Sequence, residues 1–349
     1  MSEFSSDVAA ASKQIDTREH EARALGKRIV AYARPSLKRS LFEIAITVIP
    51  FAILWFLIWQ GLHAGFLPVI LLYIPAAGFL LRLFIIQHDC GHGAMFVRQK
   101  TNNFVGHILG VFTLTPYSVW QNSHARHHAT SGNLDKRGVG DIDTLTVSEY
   151  RQLSPMRRWF YRFYRHPLVM FGIGPTYLFL FRHRLPIGQM DGGWRPWISA
   201  IATNLVLVGL VFLLSTVSGL ALVLAVHLPL VILAASAGVW LFYIQHQFED
   251  VHWARNEEWT YHKAAMHGSS FYVLPPVLAW FTGNIGYHHI HHMVSRIPFY
   301  RLPQVMADNP QVADVNRITV KESFKSVRLA LWDEQREALI SFRHERSLA

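Results

Sequence analysis

Four long apolar runs restrict the ways in which this 349-residue chain can fold. They cover residues 41–59, 65–87, 198–219 and 220–244, and each supplies roughly the 20 mostly apolar residues that a helix needs to cross a bilayer. Only short segments separate the first run from the second and the third from the fourth. The sequence therefore predicts an all-α integral membrane protein with four transmembrane helices arranged in two hairpins.

Basic residues flank these runs unevenly. Neither hairpin turn, at 60–64 or 216–220, contains Lys or Arg, whereas the segments before the first run and between the second and third contain many. Because cytoplasmic loops carry the excess of Lys and Arg, both termini and the long middle segment are predicted to be cytoplasmic, in a bacterial inner membrane. The net charge of +10 then suits anionic lipid headgroups, and we expect no nucleic-acid partner.

The remaining sequence divides around this membrane region. Residues 1–40 form an N-terminal segment without the features of a cleaved signal peptide, 41–300 form the membrane domain and 301–349 form a C-terminal tail. Two apolar stretches, 104–120 and 168–181, are short and interrupted by Gly and Pro, and we expect them to be interfacial or re-entrant pieces on the cytoplasmic face.

Three local features give further predictions. Arg82 and His227 fall inside predicted spans, where polar groups are costly. Arg82 lies near a helix end, from which its guanidinium is expected to reach the membrane surface, and His227 is expected to hydrogen-bond a neighbouring helix. Apolar residues at helical spacing over 323–343 predict an amphipathic cytoplasmic helix in the tail.

Histidines form three clusters next to the apolar runs. HDCGH places His88 and His92 directly after the second run, HARHH supplies His124, His127 and His128, and HHIHH supplies His288, His291 and His292. Spacings of i, i+4 and i, i+3, i+4 put each set of imidazoles on one side of a helix. His289 falls about a quarter of a turn away from this side, so we expect it to be a bystander.

Eight imidazoles on one side of a membrane indicate a metal site. Imidazole suits Zn, Cu, Fe and Ni, but eight ligands exceed what a four-coordinate zinc site needs. The lone Cys90 excludes a cysteine-based zinc ribbon. Eight imidazoles are enough for two metal ions that each keep open coordination positions. A di-iron centre that activates O2 is the leading interpretation.

Longer strings around the clusters carry a family resemblance. HDCGHGAMF, NSHARHHATSGNLDKRGVGDIDTLTVSEY, WLFYIQHQFEDVHW and GNIGYHHIHHMVSRIPFYRL resemble the integral-membrane fatty-acid desaturases, in particular the acyl-lipid delta-12 or omega-6 branch, over about residues 40–335. The resemblance implies two iron ions as cofactor, held by the eight clustered histidines and by His246. Stearoyl-type relatives have an Asn that holds a metal through water where this chain has Phe242, which leaves the tenth ligand open.

Carboxylates and an amide near the clusters are candidates for orienting the ligands, because a ligating imidazole usually donates its other N–H to a carboxylate or carbonyl. These candidates are Asp89, Asp141, Glu249, Asp250 and Asn284. We expect no catalytic side chain beyond the metal ligands.

The resemblance implies O2-dependent insertion of a cis double bond into a fatty acyl lipid. The sequence lacks a cysteine cluster, an HPGG haem motif and a glycine-rich dinucleotide motif, so a separate electron donor, a ferredoxin or small cytochrome with its reductase, is expected. A fatty acyl hydroxylase and a carotenoid ketolase or hydroxylase of the same superfamily remain alternatives. A histidine-rich metal transporter is a more distant alternative, and a membrane zinc peptidase would need an HExxH string that is missing.

Overall fold

The computed structural model describes residues 19–138, 140–186, 193–313 and 315–347. The first 18 residues of the predicted N-terminal segment and the last two of the predicted tail lie outside the described residues. The helices that position the candidate site are α1 (Leu37–His63), α2 (Tyr73–Gly91), α3 (Gln99–Phe112), α4 (Tyr117–Thr130), α5 (Arg195–Ser218), α6 (Leu220–His246) and α7 (His288–Met293).

Shorter elements connect these helices. Residues 19–29 are helical. The other short helical segments are Val30–Ala33, Leu67–Leu72, Val147–Gln152, Pro155–Tyr164, Val169–Ile173, Gly174–Leu180, Arg182–Arg184, Tyr261–His267, Pro276–Phe281, Phe299–Arg301, Leu302–Asp308, Pro310–Val312, Val320–Ser326 and Phe342–Ser347. The strands are β1 (Leu145–Thr146), β2 (Phe271–Val273), β3 (Arg317–Thr319), β4 (Leu329–Asp333) and β5 (Ala338–Ser341).

Four helices are long and apolar enough to cross a membrane. They are α1, the segment Leu67–Gly91 that ends with α2, α5 and α6. Each matches one predicted span to within a few residues, and Gly219 alone separates α5 from α6. The α-helical architecture with four spans in two hairpins is therefore confirmed.

Helix α2 is the centre of the bundle. It packs against α1, α3 and α6, and 56% of the most apolar window of its span is buried inside the protein, against 17% for α5. Its C-terminal turn carries His88, so the most enclosed span also delivers the first candidate ligand.

Arg82 on α2 does not extend to the membrane surface, and that prediction is wrong. Its side chain is buried and forms an ion pair with Glu43 on α1, while its Nε donates to Thr47 Oγ1 at 3.2 Å. The guanidinium also lies 4.0 Å from the centre of the Trp280 ring. Glu43 on the neighbouring helix compensates the charge of the Arg82 guanidinium inside the protein. Leaving a buried guanidinium unpaired would be costly.

His227 behaves as predicted. Its Nε2 lies 3.0 Å from the carbonyl oxygen of Phe112, the last residue of α3. This contact joins α6 to α3 and satisfies a terminal helix carbonyl that lacks an intrahelical partner.

The C-terminal tail is not the amphipathic helix that its spacing predicts. The helix Val320–Ser326 ends early in the predicted range and the helix Phe342–Ser347 begins at its end; between them β4 and β5 form an antiparallel hairpin whose first strand also pairs with β1 in parallel. All five residues of β4, LALWD, are buried, and Trp332 stacks on Trp253 at 5.2 Å. A continuous buried run suits a strand covered on both faces, whereas an amphipathic helix would expose part of it.

A second small sheet pairs β2, which precedes α7 in the chain, with β3, which follows it, in parallel. Neither sheet was predicted, although both are small additions to a helical protein. The stretch 104–120 forms parts of α3 and α4. The stretch 168–181 forms the helical turns Val169–Ile173 and Gly174–Leu180. Within the described residues neither stretch provides a further candidate span, and their place at the membrane surface stays a prediction.

Candidate metal centre

Four helices bring the predicted histidines to one end of the bundle. His88 lies in the last turn of α2 and His92 caps it, while His246 is the last residue of α6. Helix α4 carries His124, His127 and His128, and α7 carries the three histidines of the last cluster at helical spacing. The convergence follows from two long helices that end at the same level, with α4 and α7 packed beside their ends.

The nine histidines separate into two groups. Within each group, one ring nitrogen from each residue lies within 4.8 Å of those of all the others. The five-His group consists of His88, His92, His124, His128 and His291; the four-His group consists of His127, His246, His288 and His292. Helices α4 and α7 each contribute to both groups, so the two groups are adjacent.

The four-His group has the geometry of ligands around a shared cation. Its Nε2 atoms form a closed ring of contacts, with His246 to His288 at 2.9 Å, His288 to His292 at 3.0 Å, His127 to His246 at 3.1 Å and His127 to His292 at 3.3 Å. A neutral imidazole nitrogen carries either one hydrogen or one acceptor lone pair, so at most two of these four contacts can be hydrogen bonds. A cation that accepts four lone pairs accounts for all of them.

The five-His group shows the same need for a bound cation. The Nε2 of His128 lies 3.1 Å from that of His124 and 3.1 Å from that of His291. The Nε2 of His92 is buried without a hydrogen-bond partner, a state that is unfavourable unless something else satisfies the nitrogen. Five imidazoles also exceed the four ligands of a structural zinc site, and imidazole nitrogens are ligands that iron accepts.

Burial keeps these imidazoles in the form that binds metal. Desolvation is the main cause that lowers the pKa well below the usual 6.5, and the charge of neighbouring imidazoles adds to it, for His92, His124, His128, His288, His291 and His292. At neutral pH these six rings are therefore uncharged. A neutral ring has the free lone pair that a metal ligand requires.

Two of the predicted carboxylates contact ligand candidates. The Nδ1 of His127 hydrogen-bonds Asp141, and the Nδ1 of His88 lies 3.1 Å from Asp89 Oδ1. The other oxygen of Asp89 accepts from the backbone N–H of Phe299 at 2.7 Å. Each carboxylate thus fixes one ring and directs its Nε2 toward the cluster.

Gly140 makes the contact of Asp141 possible. Its φ of +80° lies in the left-handed region, and a Cβ there would stand 2.7 Å from the Ser123 carbonyl oxygen. Only glycine allows the chain to pass α4 this closely. The next residue is thereby placed beside His127.

The other three predicted outer residues lie elsewhere. Glu249 and Asp250 are exposed on the turn after α6, and in the described part of the chain no hydrogen bond links them to a histidine. Asn284 adopts a left-handed φ of 54°, and its carbonyl accepts from the N–H of Tyr287 at 3.1 Å. It shapes the turn before α7. A role of Glu249, Asp250 and Asn284 in orienting ligands stays a prediction.

His289 belongs to neither group, as its register predicts. It is fully buried, and its Nε2 lies 3.1 Å from the carbonyl oxygen of Val312. This contact ties α7 to the segment Pro310–Val312.

Several contacts of the cluster escaped the sequence analysis. The ring of Trp120 stacks on His124 at 4.6 Å and 20°, and the spacing of four residues on one helix is the signal that could have indicated it. The carbonyl of Gly268 lies 3.3 Å from His246 Nδ1, a backbone contact that no local pattern reveals. Phe242 packs against His127 and His246, with ring centres 4.9 and 5.1 Å away.

Arg165 was also missed, although it connects the surroundings of two ligand candidates. It is buried and donates to Thr144 Oγ1 at 3.2 Å, to Gln247 Oε1 at 3.0 Å and to the Leu329 carbonyl at 2.7 Å. Thr144 follows the Asp141 loop and Gln247 follows His246. One guanidinium therefore ties both segments to β4.

A small apolar cavity of about 20 Å³, room for about one water molecule, lies between the spans below the cluster. Its walls come from α2, α3, α6 and the Gly174–Leu180 helix; they are lined by Leu80, Leu81, Phe84, Thr113, Phe179, Val231, Ala234, Ala235 and Gly238. The ring of Phe84 contacts Trp120 at 5.4 Å, and Trp120 stacks on His124. The cavity is therefore separated from the histidines by these aromatic rings.

The fold and the site define a membrane protein with a histidine-rich candidate metal centre. The chain matches the family model for fatty acid desaturases over residues 64–323. It is 43% identical over 324 residues to the fatty acid desaturase of Bacillus subtilis, a match that covers 93% of this chain and 92% of that protein. This chain therefore belongs to the fatty acid desaturase family and is an oxidoreductase.

More distant relatives carry more detailed names. A Synechocystis protein named sn-1 acyl-lipid omega-3 desaturase (ferredoxin) is 30% identical over 241 residues, which cover 63% of this chain and 61% of that protein. An Arabidopsis thaliana protein named acyl-lipid omega-3 desaturase (cytochrome b5), endoplasmic reticulum, is 31% identical over 255 residues, which cover 66% of this chain and 61% of that protein.

Proposed function

We propose that this protein catalyses O2-dependent insertion of a cis double bond into the acyl chain of a membrane lipid, at an iron centre held by the nine clustered histidines. The observation that carries the proposal is the pair of adjacent imidazole groups at one end of the membrane bundle, in a chain that belongs to the fatty acid desaturase family. The imidazole nitrogens supply the ligands of the metal centre.

The reaction balances with an external source of electrons. Two adjacent methylenes lose one hydrogen atom each and become joined by a double bond. O2 takes up these two hydrogens together with two electrons and two protons, and two molecules of water are formed. When bound, the iron supplies the redox chemistry that allows O2 to oxidise an unactivated methylene.

The residues of the chain position and enclose this chemistry. The carboxylates of Asp141 and Asp89 hold the rings of His127 and His88, while the ring of Trp120 packs on His124. Burial of most of the clustered histidines limits the access of water, and a lipid chain held in one orientation beside them would react at one pair of carbons. No side chain needs to transfer a proton to the substrate.

The electron donor is proposed to be a separate protein, a ferredoxin or small cytochrome. The Synechocystis relative is named for a ferredoxin and the Arabidopsis relative for cytochrome b5. An acidic carrier suits a chain with a net charge of +10.

The membrane orientation predicted from basic residues belongs to the same proposal. With both termini and the histidines cytoplasmic, the candidate centre faces soluble electron carriers, and the bacterial relative is consistent with an inner membrane. Placement of the histidines at the ends of helices, rather than in the middle of the spans, argues against a metal transporter.

The delta-12 or omega-6 position stays a prediction from the sequence. The omega-3 names of two relatives belong to proteins that are 30% and 31% identical to this chain over 61% of their own length. The position depends on how the acyl chain is held beside the histidines, so the double bond itself must be located.

Product analysis tests the proposal. The protein is expressed, with a ferredoxin and its reductase, in a host whose lipids contain only saturated and monounsaturated chains, and lipid double bonds are located by mass spectrometry. A new cis double bond is expected with the wild type and its absence with His292→Ala. Products that gain oxygen without a new double bond would show a hydroxylase or ketolase instead, and unchanged lipids in the presence of iron-loaded protein would refute both.

A further inference from the structure

The helix Pro155–Tyr164 exposes its apolar side. Met156, Trp159, Phe160 and Phe163 follow the i, i+3, i+4, i+7 spacing of a single helical face. All four are exposed, with Trp159 at 59% and Phe160 at 55%. Their rings form a continuous surface, since Trp159 stacks on Phe163 at 5.7 Å and meets Phe160 edge to face at 5.0 Å.

The opposite face of this helix is fixed to the protein. The hydroxyl of Tyr161 donates to the carbonyl of Ala330 in β4 at 2.6 Å and accepts from the N–H of Leu145 in β1 at 3.0 Å. The Nε of Arg162 donates to the Tyr150 hydroxyl at 2.6 Å. The helix is therefore held in one orientation, and its apolar face points away from the described protein.

The sequence around this helix is rich in arginine. Residues 150–190 contain seven arginines and no Asp or Glu. Arg157 is exposed on the helix itself, beside the aromatic residues. Arginine together with tryptophan at the edge of an apolar surface is the composition of helices that lie in the headgroup region of a bilayer.

The exposed apolar surface continues toward the spans. Leu168, Ile173, Tyr177 and Phe181 in the following turns are exposed, and so are Trp194 and Ile198 at the start of α5. An apolar band thus extends from the helix to a candidate membrane span, which a bilayer would cover without interruption.

We propose that Pro155–Tyr164 is an interfacial helix that lies in the headgroup region of an anionic membrane, with Met156, Trp159, Phe160 and Phe163 against the acyl chains. The basic residues around it contact lipid phosphates. Because Arg165 at its end bonds to Thr144 and Gln247, the helix also fixes the height of the candidate metal centre above the bilayer. The proposal depends on the membrane location of the chain and not on the reaction that it catalyses.

Site-directed spin labelling tests this placement. Cys90 is buried and is the one cysteine of the sequence, so Phe160→Cys introduces the accessible thiol of the protein. The full chain is labelled with a nitroxide in nanodiscs of phosphatidylglycerol, and relaxation by O2 and by a water-soluble nickel chelate is compared. Gln152→Cys, at an exposed polar position on Val147–Gln152, is the matched control.

At position 160 we expect O2 to relax the label more effectively than the nickel chelate, and at position 152 we expect the reverse. Preferential relaxation by nickel at 160 would overturn the proposal. An immobilised label at 160 that neither reagent reaches would also overturn it, since a second copy or another protein would then cover the face. Both variants are checked for correct folding by elution from size-exclusion chromatography.

A comparison of two lipid compositions tests the role of the anionic headgroups. In phosphatidylcholine nanodiscs the ratio of O2 to nickel relaxation at position 160 is expected to fall relative to phosphatidylglycerol, and Arg157→Gln is expected to reduce this difference. An identical ratio in both lipids would contradict the role of anionic headgroups.

Discussion

The Nε2 atoms of His127 and His246 lie 3.1 Å apart, although 119 positions separate the two residues in the sequence. One is in the middle of a helical cluster on α4, and the other ends the last span. The contact shows that the fold recruits a histidine without cluster spacing into the four-His group. Specific predictions about metal binding follow from this contact.

Replacing His246 should remove one metal and leave the other. In His246→Ala the four-His group loses one of four nitrogens while the five-His group keeps all of its own. We expect the iron content to fall from about two ions per chain to about one. Metal analysis of the purified protein measures this, with His227→Gln, on the same helix but outside both groups, as the control. Full iron retention in His246→Ala would exclude this residue as a ligand.

His289 and His292 should differ sharply despite their proximity. His289 bonds to the Val312 carbonyl, whereas His292 contacts His127 and His288. His289→Gln keeps a donor for the carbonyl and is expected to retain the wild-type iron content, while His292→Gln is expected to lose iron. Equal losses in the two folded variants would contradict the division of the HHIHH cluster into ligands and bystander.

Asp141 should matter for metal affinity even though it is not a proposed ligand. Asp141→Asn weakens the hydrogen bond that orients His127, and loss of such outer contacts typically lowers metal affinity by about 10- to 100-fold. Competition with a chelator measures the change. Asp250→Asn, on an exposed turn, serves as the control and should match the wild type. A wild-type affinity in Asp141→Asn would argue that the carboxylate is not needed to hold the ring.

The buried pair of Arg82 and Glu43 should show strong coupling. Removing one partner of a buried ion pair typically costs about 3–5 kcal/mol when the other charge is left uncompensated. Glu43 also pairs with Arg39 at 2.7 Å, so Arg82→Met should cost less than Glu43→Gln, which leaves the buried Arg82 without its carboxylate. Arg82→Met and Glu43→Gln should each lower the unfolding temperature in detergent, and the double variant should lose less than the sum of the two. Additive losses would mean that the pair does not act as a unit.

Acid should destabilise the metal-free protein. The folded-state pKa values of six clustered histidines lie well below 6.5 because of burial. As the pH falls below about 6.5, the histidines of the unfolded chain bind protons that those of the folded chain do not. The stabilising contribution of these histidines is complete above that pH and is progressively lost below it. The melting temperature of the metal-free protein should fall from about pH 7.5 to about pH 5.5. The melting temperature of metal-free His292→Gln should fall less steeply over the same pH range. An equally steep fall would mean that other groups cause the loss of stability.

The spans and the histidine clusters could be predicted because each depends on local sequence. Hydropathy over about 20 residues determines a span, and i, i+3, i+4 spacing places His288, His291 and His292 on one side of a helix. The assignment of each histidine to a group could not be predicted. His291 joins one group and its neighbour His292 the other, because α7 lies between the two groups and adjacent positions face different partners.

The errors share a tertiary origin. Arg82 is held by Glu43, and β4 is a strand because Trp253 and β1 cover it. In each case a partner far away in the sequence decides the outcome.

The metal content of the wild-type protein tests the central claim most directly. Protein purified anaerobically after growth in iron-containing medium is analysed for all first-row transition metals and for protein concentration. The account predicts about two iron ions per chain, one for each group of histidines. A content of one metal ion or fewer per chain, or full occupancy by zinc in protein that still desaturates lipid, would contradict it.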